Sequence, residues 1–318
     1  MPRLSVVIPI YRSEAILEEL YRRLRAALES ITEDFEILLV EDCGGDRSWE
    51  LICELARRDP RVKGLQFSRN FGQHYGITAG LDHCDGDWVV VMDGDLQDRP
   101  EDIPALYARA QEGHEVVVAH RGIRLHSPLK RFASWAFYRL FSWLSDIEYD
   151  GETGNFRIVS RQVVENLRRM REQMRFFGGL LAWMGFPSTT VEVQQDPRFA
   201  GRSGYSLRRL WRLAGDVIIA YSDKPLRLAI RLGFYMVLFA FLFGLFIIYR
   251  ALFHGIPVTG YPSLIVSIYF VGGIIIAILG VLGIYLGKTY DETKRRPLYV
   301  VRRSTFEEDR AGAGDAPR

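Results

Sequence analysis

The sequence has little cysteine, little net charge and, in two long stretches, no charge at all. Its 318 residues include only three cysteines, Cys43, Cys53 and Cys84, and none of them form a Cys-x-x-Cys pair. Neither a disulfide framework nor a cysteine-based zinc site is therefore favoured, and we expect reduced thiols on the cytosolic side. The formal net charge is only +2. A field this weak does not favour nucleic acid as a partner.

Short apolar runs alternate with helix-like segments in the first part of the chain. The pattern predicts strands over residues 4–10, 35–40, 62–67, 88–92 and 115–119, and helices over 14–30, 48–58 and around 76–81. The first apolar run starts almost at once and has no signal-peptide pattern before it. Such alternation predicts an α/β fold with a doubly wound, mostly parallel sheet. Ligands of these sheets bind beyond the carboxyl ends of the strands.

Two uncharged runs follow, over residues 232–249 and 255–287. Each can supply the roughly 20 apolar residues that cross a bilayer. The alternative is a buried helical hairpin in a soluble core, but the first run is apolar around its full helical circumference. Lysine and arginine cluster on both outer flanks and are absent from the linker at 254–262. The positive-inside rule therefore predicts a multi-pass protein of the cytoplasmic membrane, with both termini and the preceding domain in the cytoplasm.

Two further segments combine aromatic and basic residues. They cover residues 129–144 and 207–221. This composition favours helices that lie in the headgroup plane of a membrane, and the alternative is ordinary amphipathic packing on the sheet. The predicted organisation is a soluble domain over 1–205, an interfacial helix over 206–228, two membrane helices over 229–287 and a C-terminal segment over 288–318 that ends in a disordered tail.

Two carboxylates, Asp93 and Asp95, directly follow the apolar run at 88–92. Neighbouring carboxylates repel each other, so the pair suggests a bound cation. Oxygen ligands in small number suit Mg²⁺ or Mn²⁺ shared with substrate phosphates. Gln97 can add a carbonyl oxygen, and Gly94 removes side-chain bulk beside the pair. The alternative is an ordinary turn, which also favours aspartate and glycine.

Other polar side chains follow the first two predicted strands. Asp42 can accept hydrogen bonds from a nucleobase or a ribose hydroxyl, and Tyr11 can stack on a base. The alternatives are a turn residue for Asp42 and, for Glu14, a charge that complements a helix N-terminus. Since both strands end at the same edge of a parallel sheet, these side chains are candidates for one site.

Four segments, residues 9–14, 40–42, 68–74 and 91–98, together resemble family 2 glycosyltransferases. With the two apolar runs and residues 294–300, nearly the whole chain resembles the polyprenyl-phosphate glycosyltransferases, such as bactoprenol glucosyltransferases and dolichol-phosphate mannose synthases. The resemblance implies a GT-A fold and inverting transfer of a sugar from a nucleotide-sugar donor, with UDP-hexose preferred, to polyprenyl phosphate such as undecaprenyl phosphate. It also implies Mg²⁺ or Mn²⁺ as cofactor and a homo-oligomer, namely a tetramer.

The resemblance also assigns roles to residues that match the family's motifs. It implies catalytic roles for Asp93, Asp95 and Asn155. The implied nucleotide-binding residues are Pro9, Tyr11, Glu14, Asp42, Gly72, Gln73, Asp93 and Gly94, and the implied metal-binding residues are Asp93, Asp95 and Gln97. The implied acceptor-phosphate residues are Arg121, Arg131, Arg198, Arg202 and Ser203.

The chain departs from the family's pattern at three positions. Asn155 stands where many relatives have an aspartate before Phe-Arg. This difference argues against a general base at this position, although Asn155 can still form a hydrogen bond with a sugar hydroxyl. Relatives often have alanine at the position of Gly94. Many have lysine at the position of Gly204, and Arg202 can substitute for that cation.

Three alternative functions remain open from the sequence. A polysaccharide synthase is disfavoured by only two predicted spans and no Gln-x-x-Arg-Trp signature. A non-catalytic sugar-nucleotide-binding membrane scaffold is disfavoured by the intact set of Asp93, Asp95 and Gln97. A soluble transferase with an apolar hairpin for oligomerisation would partition into buffer without detergent.

Overall fold

The computed structural model describes residues 3–121, 153–194, 222, 224–254 and 260–306. Contacts within the chain divide it into two compact units. Of the described residues, the first unit holds those up to 194 together with 297–306, and the second holds those from 222 to 296. The segments predicted to be interfacial, 129–144 and 207–221, and the tail after residue 306 lie outside the described residues.

Up to residue 121 the first unit alternates strands and helices, as predicted. Its elements are β1 (Leu4–Ile10), α1 (Leu17–Glu29), β2 (Phe35–Glu41), α2 (Ser48–Arg58), β3 (Val62–Phe67), α3 (Gln73–His83), β4 (Trp88–Val91), a short 3-10 helix (Pro100–Asp102), α4 (Ile103–Ala110), β5 (Val116–Arg121), β6 (Thr153–Ser160), α5 (Arg161–Arg169), α6 (Phe177–Met184), β7 (Ser188–Val193) and β8 (Val301–Ser304). Helix α1 starts later than predicted, because the carbonyl of Ser13 accepts the amides of Ile16 and Leu17 in a preceding turn.

The eight strands form one mixed sheet in the order β7-β5-β6-β4-β1-β2-β3-β8. The central strand β1 runs parallel to both β2 and β4, while β6 pairs antiparallel with β4 and β5. Most residues of β1 and all of β2 are buried, as expected for strands covered by helices on both faces. The predicted α/β class with a mostly parallel sheet is confirmed, and β1, β2 and β4 bring their carboxyl ends together.

Strand β8, like β6 and β7, was not predicted from the sequence. It pairs antiparallel with β3 at the edge of the sheet. Just before it, the ring of Tyr299 stacks on Phe67 with 5.3 Å between ring centroids, and its hydroxyl donates to Asp82 at 2.8 Å. The amide of Ser68 donates to the carbonyl of Val300 at 2.9 Å. The C-terminal segment therefore packs beside the loop that leaves β3.

Helix α3 packs very closely on β1. A Cβ atom on Gly80 would lie 2.1 Å from Cγ1 of Val7, and one on Gly76 would lie 3.0 Å from Cβ of Pro9. Only glycine allows the helix backbone this close to the strand. The close packing brings the first residue of α3, Gln73, to the carboxyl end of β1.

Replacing Gly80 by alanine is therefore expected to destabilise the first unit by about 1–3 kcal/mol, because Val7 is fully buried and cannot move aside. Thermal unfolding of the purified protein measures this. The matched control is Gly178→Ala in helix α6, where the new Cβ meets its nearest atoms at an ordinary 3.7–3.8 Å. There the helix propensity of alanine should be neutral or stabilise by up to about 1 kcal/mol. Equal effects of the two substitutions would contradict the close packing.

The second unit consists mainly of two long helices, α7 (Lys224–His254) and α8 (Tyr261–Thr293). Within them, Lys224–Phe246 and Phe270–Thr293 are long and apolar enough to cross a membrane, and the most apolar part of each has no buried side chain among those the structure describes. A hairpin in a soluble core would be covered by packed side chains. Large exposed apolar surfaces instead favour contact with lipid or with another apolar surface.

Candidate active site

The carboxyl ends of β1, β2 and β4 carry strained backbone. Arg12, Cys43 and Leu96 follow these three strands and have φ angles of 52°, 52° and 58°. Non-glycine residues adopt positive φ at an energetic cost, and such residues cluster at functional sites. This edge of the sheet is the one at which the sequence predicted a ligand.

Asp93 lies two residues beyond the last residue of β4, and Asn155 lies opposite it on β6. The antiparallel register pairs Val91 with Arg157, and its continuation by two residues pairs Asp93 with Asn155. Nδ2 of Asn155 donates to Oδ1 of Asp93 at 3.2 Å, and Nε2 of Gln73 donates to the same oxygen. The structure thus brings together three predicted site residues that lie on separate segments of the sequence.

The turn after Asp93 alternates in burial. Asp93, Asp95 and Gln97 are partly exposed, whereas Gly94 and Leu96 between them are buried. The amide of Gln97 donates to Oδ1 of Asp95 at 3.1 Å, which fixes this turn. A Cβ atom on Gly94 would lie 2.8 Å from Cδ1 of Ile10, so glycine lets the turn pack against the end of β1.

The donor set fits a divalent cation shared with substrate phosphates. Among the described residues, no three His, Cys, Asp or Glu side chains converge to hold a metal on their own. Asp93 and Asp95 supply two carboxylates, and Gln97 can supply an amide oxygen. Mg²⁺ characteristically binds through one or two carboxylates plus substrate phosphates, and this set matches that chemistry.

Asp42 is almost fully buried and holds the loop that starts α3. Its carboxylate accepts the backbone N–H groups of Phe71 at 2.7 Å and Gly72 at 2.8 Å. Burial raises the pKa of Asp42, and these two hydrogen bonds oppose the increase. Gly72 has a φ of 107°, a conformation that favours glycine. Each carboxylate oxygen can accept a second hydrogen bond, so Asp42 could still bind a nucleobase. That contact stays a prediction.

The loop after β1 combines exposed and structural residues. Tyr11 is 47% exposed, and the Arg12 guanidinium lies 5.3 Å from the centre of its ring. Glu14 instead accepts the backbone N–H of Arg47 at 2.8 Å, just before α2. That contact supports the helix N-terminus alternative for Glu14. Pro9 is partly buried within β1 and pairs with Val40.

Sequence reasoning missed a buried basic cluster near Asn155. Arg157 and Arg175 are 5% and 6% exposed. The Arg157 guanidinium lies 5.2 Å from the Phe177 ring, and Nε of Arg175 donates to Oγ1 of Thr78 at 3.1 Å. Burial, and then these two guanidinium groups, lower the pKa of nearby His74 to about 4. Arg157 follows Asn155 by two residues on a strand, which places both on one face and was the available signal.

The structure locates only part of the predicted acceptor site. Arg121 was predicted to follow the fifth strand. It is instead the last residue of β5. The other four predicted residues, Arg131, Arg198, Arg202 and Ser203, lie outside the described residues.

Comparisons with known proteins extend over nearly the whole chain. The glycosyl transferase family 2 model matches residues 5–177. The uncharacterized glycosyltransferase YkcC of Bacillus subtilis (strain 168) is 42% identical over 94% of this chain and 93% of its own length. The SfII prophage-derived bactoprenol glucosyl transferase of Shigella flexneri is 38% identical over 95% of this chain and 98% of its own length.

A solved structure shares the fold. Glucosyl-3-phosphoglycerate synthase from Mycobacterium tuberculosis, crystallised with Mn²⁺, UDP and glucosyl-3-phosphoglycerate, superposes with a TM-score of 0.50. It is 15% identical, and the match covers 69% of this chain and 78% of that chain. The arrangement of strands and helices is therefore shared with that synthase, and the full-length relatives agree with the family model. The chain belongs to glycosyl transferase family 2 and is a glycosyltransferase.

Proposed function

We propose that this protein transfers a hexose from a nucleotide-sugar, preferably UDP-hexose, to polyprenyl phosphate such as undecaprenyl phosphate, with inversion at the anomeric carbon. The observation that carries the proposal is the 38% identity, over almost the full length of both chains, to a bactoprenol glucosyl transferase. Such similarity includes the two apolar helices as well as the α/β unit, so it supports a lipid-carrier acceptor for this chain too.

The proposed enzyme spans the cytoplasmic membrane with α7 and α8 and has its α/β unit and both termini in the cytoplasm. The length and exposure of the two helices and the basic residues that flank them support this topology. A lipid phosphate remains at the membrane surface, so a membrane-bound transferase can reach it without extracting the lipid. A homotetramer is proposed on the family resemblance alone.

We propose Mg²⁺ or Mn²⁺ as the cofactor, held by Asp93, Asp95 and Gln97 together with the donor diphosphate. When bound, the cation would offset the negative charge that grows on the departing nucleoside diphosphate. In this proposal Asp42 and Tyr11 bind the nucleoside at the ends of β2 and β1. The exposure of Tyr11 and the position of Asp42 beside the start of α3 are compatible with those roles.

The acceptor needs no strong general base in this mechanism. A phosphate monoester has a second pKa of about 6, so its oxygen is already largely ionised at neutral pH. Asn155, an amide, cannot accept a proton as a carboxylate can, and its contact with Asp93 is consistent with this mechanism. Arg121 and Arg131 would bind the acceptor phosphate and offset repulsion between the two phosphate groups.

The direct test is a transfer assay. Purified full-length protein in detergent is incubated with undecaprenyl phosphate, Mg²⁺ and a panel of sugar nucleotides, and the lipid product is analysed by mass spectrometry. One sugar-linked polyprenyl phosphate is expected, together with release of nucleoside diphosphate that stops on chelation. Nucleotide-sugar binding without turnover on any acceptor would instead identify the non-catalytic scaffold.

Replacing Arg131 by alanine is expected to raise the apparent KM for the lipid phosphate by roughly 10-fold or more, since a charge-assisted contact contributes about 1.5–3 kcal/mol. The KM for the nucleotide-sugar should change much less. Steady-state kinetics with each substrate varied in turn gives both values, with Arg57→Ala, an exposed arginine on α2, as the control. A larger change in the nucleotide-sugar KM would reject the acceptor role of Arg131.

A further inference from the structure

Gln73 and Asn155 reach the same oxygen of Asp93 from two different elements. Gln73 is the first residue of α3, and Asn155 lies on β6. Both side chains donate an amide N–H to Oδ1 of Asp93, with an N–O distance of 3.2 Å for Asn155. Amide groups do not titrate, so both remain donors at every working pH. Two donors at one oxygen restrict the rotation of the carboxylate.

The backbone that carries each donor is itself held in place. The amide of Gly72, just before Gln73, donates to Asp42 at 2.8 Å, and this fixes the start of α3. Asn155 is followed by Phe156, which is fully buried, and continues the β4–β6 register opposite Asp93. The backbone at Gln73 and at Asn155 is thus held by hydrogen bonds and packing. The carboxylate is therefore oriented by the sheet and by α3 together.

We propose that Gln73 and Asn155 are positioning residues that orient the Asp93 carboxylate toward a divalent cation bound with the donor diphosphate. This rests on the proposed function above. Gln73 then acts through Asp93 and not through the nucleotide contact predicted from the sequence. At position 155 an amide donates to Asp93, whereas an aspartate there would place a second negative charge beside it.

The test measures Mn²⁺ affinity of the full-length protein with UDP present, by electron paramagnetic resonance, for Gln73→Ala, Gln73→Met and Asn155→Ala. Groups that orient a metal ligand typically contribute about 10–100-fold to metal affinity, and we expect a loss of this size in each variant. UDP affinity in EDTA, measured by calorimetry, should stay unchanged. The control, Asn166→Ala, removes an amide on α5 that bonds only the carbonyl of Gln162 among its described contacts, and should leave both values unchanged.

Three results would overturn the proposal. The first is unchanged Mn²⁺ affinity in variants whose thermal unfolding matches that of the control. The second is weaker UDP binding in EDTA by Gln73→Ala, which would place Gln73 against the nucleotide. The third is wild-type Mn²⁺ affinity in Gln73→Met, which keeps the volume but donates no hydrogen bond. Sugar transfer by the wild-type protein is assayed separately, with and without Mn²⁺. No transfer in either condition would contradict the proposed function, whereas Mn²⁺-dependent transfer together with any of the three results above would contradict only the present proposal.

Discussion

Replacing Asp95 by asparagine is expected to lower the rate of sugar transfer by roughly 10²–10³-fold, the size seen when one preorganised electrostatic contact to a transition state is removed. Asparagine keeps an oxygen that can accept the 3.1 Å hydrogen bond from the amide of Gln97, so the turn should survive. The negative charge that the proposed cation site requires is lost. The transfer assay with undecaprenyl phosphate and saturating nucleotide-sugar measures the effect on kcat.

The control for this substitution is Asp34→Asn. The side chain of Asp34 is 65% exposed and lies before β2, at the opposite ends of the strands from Asp95. Its substitution should leave transfer within about twofold, as expected for an exposed ion pair of small energetic value. Wild-type turnover by Asp95→Asn, or undiminished turnover of the wild-type protein after thorough chelation with EDTA, would show that the metal assignment is wrong.

Replacing Tyr299 by alanine is expected to destabilise the α/β unit by about 3 kcal/mol, the lower end of the cost of removing a large aromatic side chain from a core, because Tyr299 is partly exposed. The substitution removes the ring that stacks on Phe67 and the hydroxyl that donates to Asp82. It also loosens the segment whose Val300 carbonyl accepts the amide of Ser68. Thermal unfolding measures the first effect, and hydrogen exchange at the amides of residues 68–72 measures the second.

Tyr299→Phe separates the two contributions. It keeps the stacked ring and loses only the hydrogen bond, so we expect a smaller cost of about 0.5–1.5 kcal/mol. Burial and the neighbouring Asp82 carboxylate raise the pKa of Tyr299, so the hydroxyl keeps its proton throughout the range of the assays. If Tyr299→Ala leaves both the unfolding temperature and the protection of residues 68–72 unchanged, the C-terminal segment does not support the site.

Strands β1, β2 and β4 could be predicted from the sequence because their information is local, whereas β6, which carries Asn155, was not predicted. The runs at Leu4–Ile10 and Val62–Phe67 and the helix Ser48–Arg58 have the predicted bounds. A continuous apolar run identifies a buried strand wherever it later pairs. The position of Asp93 and Asp95 after such a run likewise indicated the ligand-binding edge of the sheet.

Contacts between distant segments required the tertiary structure. Strand β8 pairs with β3, and Thr305 contacts Gly64 across 241 residues of sequence. The sequence near residue 301 reads Val-Val-Arg-Arg-Ser-Thr and has no pattern that identifies β3 as its partner. The buried Arg175 was missed for the same reason, since its partner Thr78 lies 97 residues away.

The sequence by itself determined the fold class, the two long apolar helices and the strand ends at which the carboxylates lie, because hydrophobic periodicity and chain order suffice for these. Only the tertiary structure decided that Gln73 and Asn155 meet on one oxygen of Asp93 and that Asp42 holds the start of α3. Those contacts depend on strand register and on how closely α3 packs on β1. Both are set by packing between segments that are far apart in the chain.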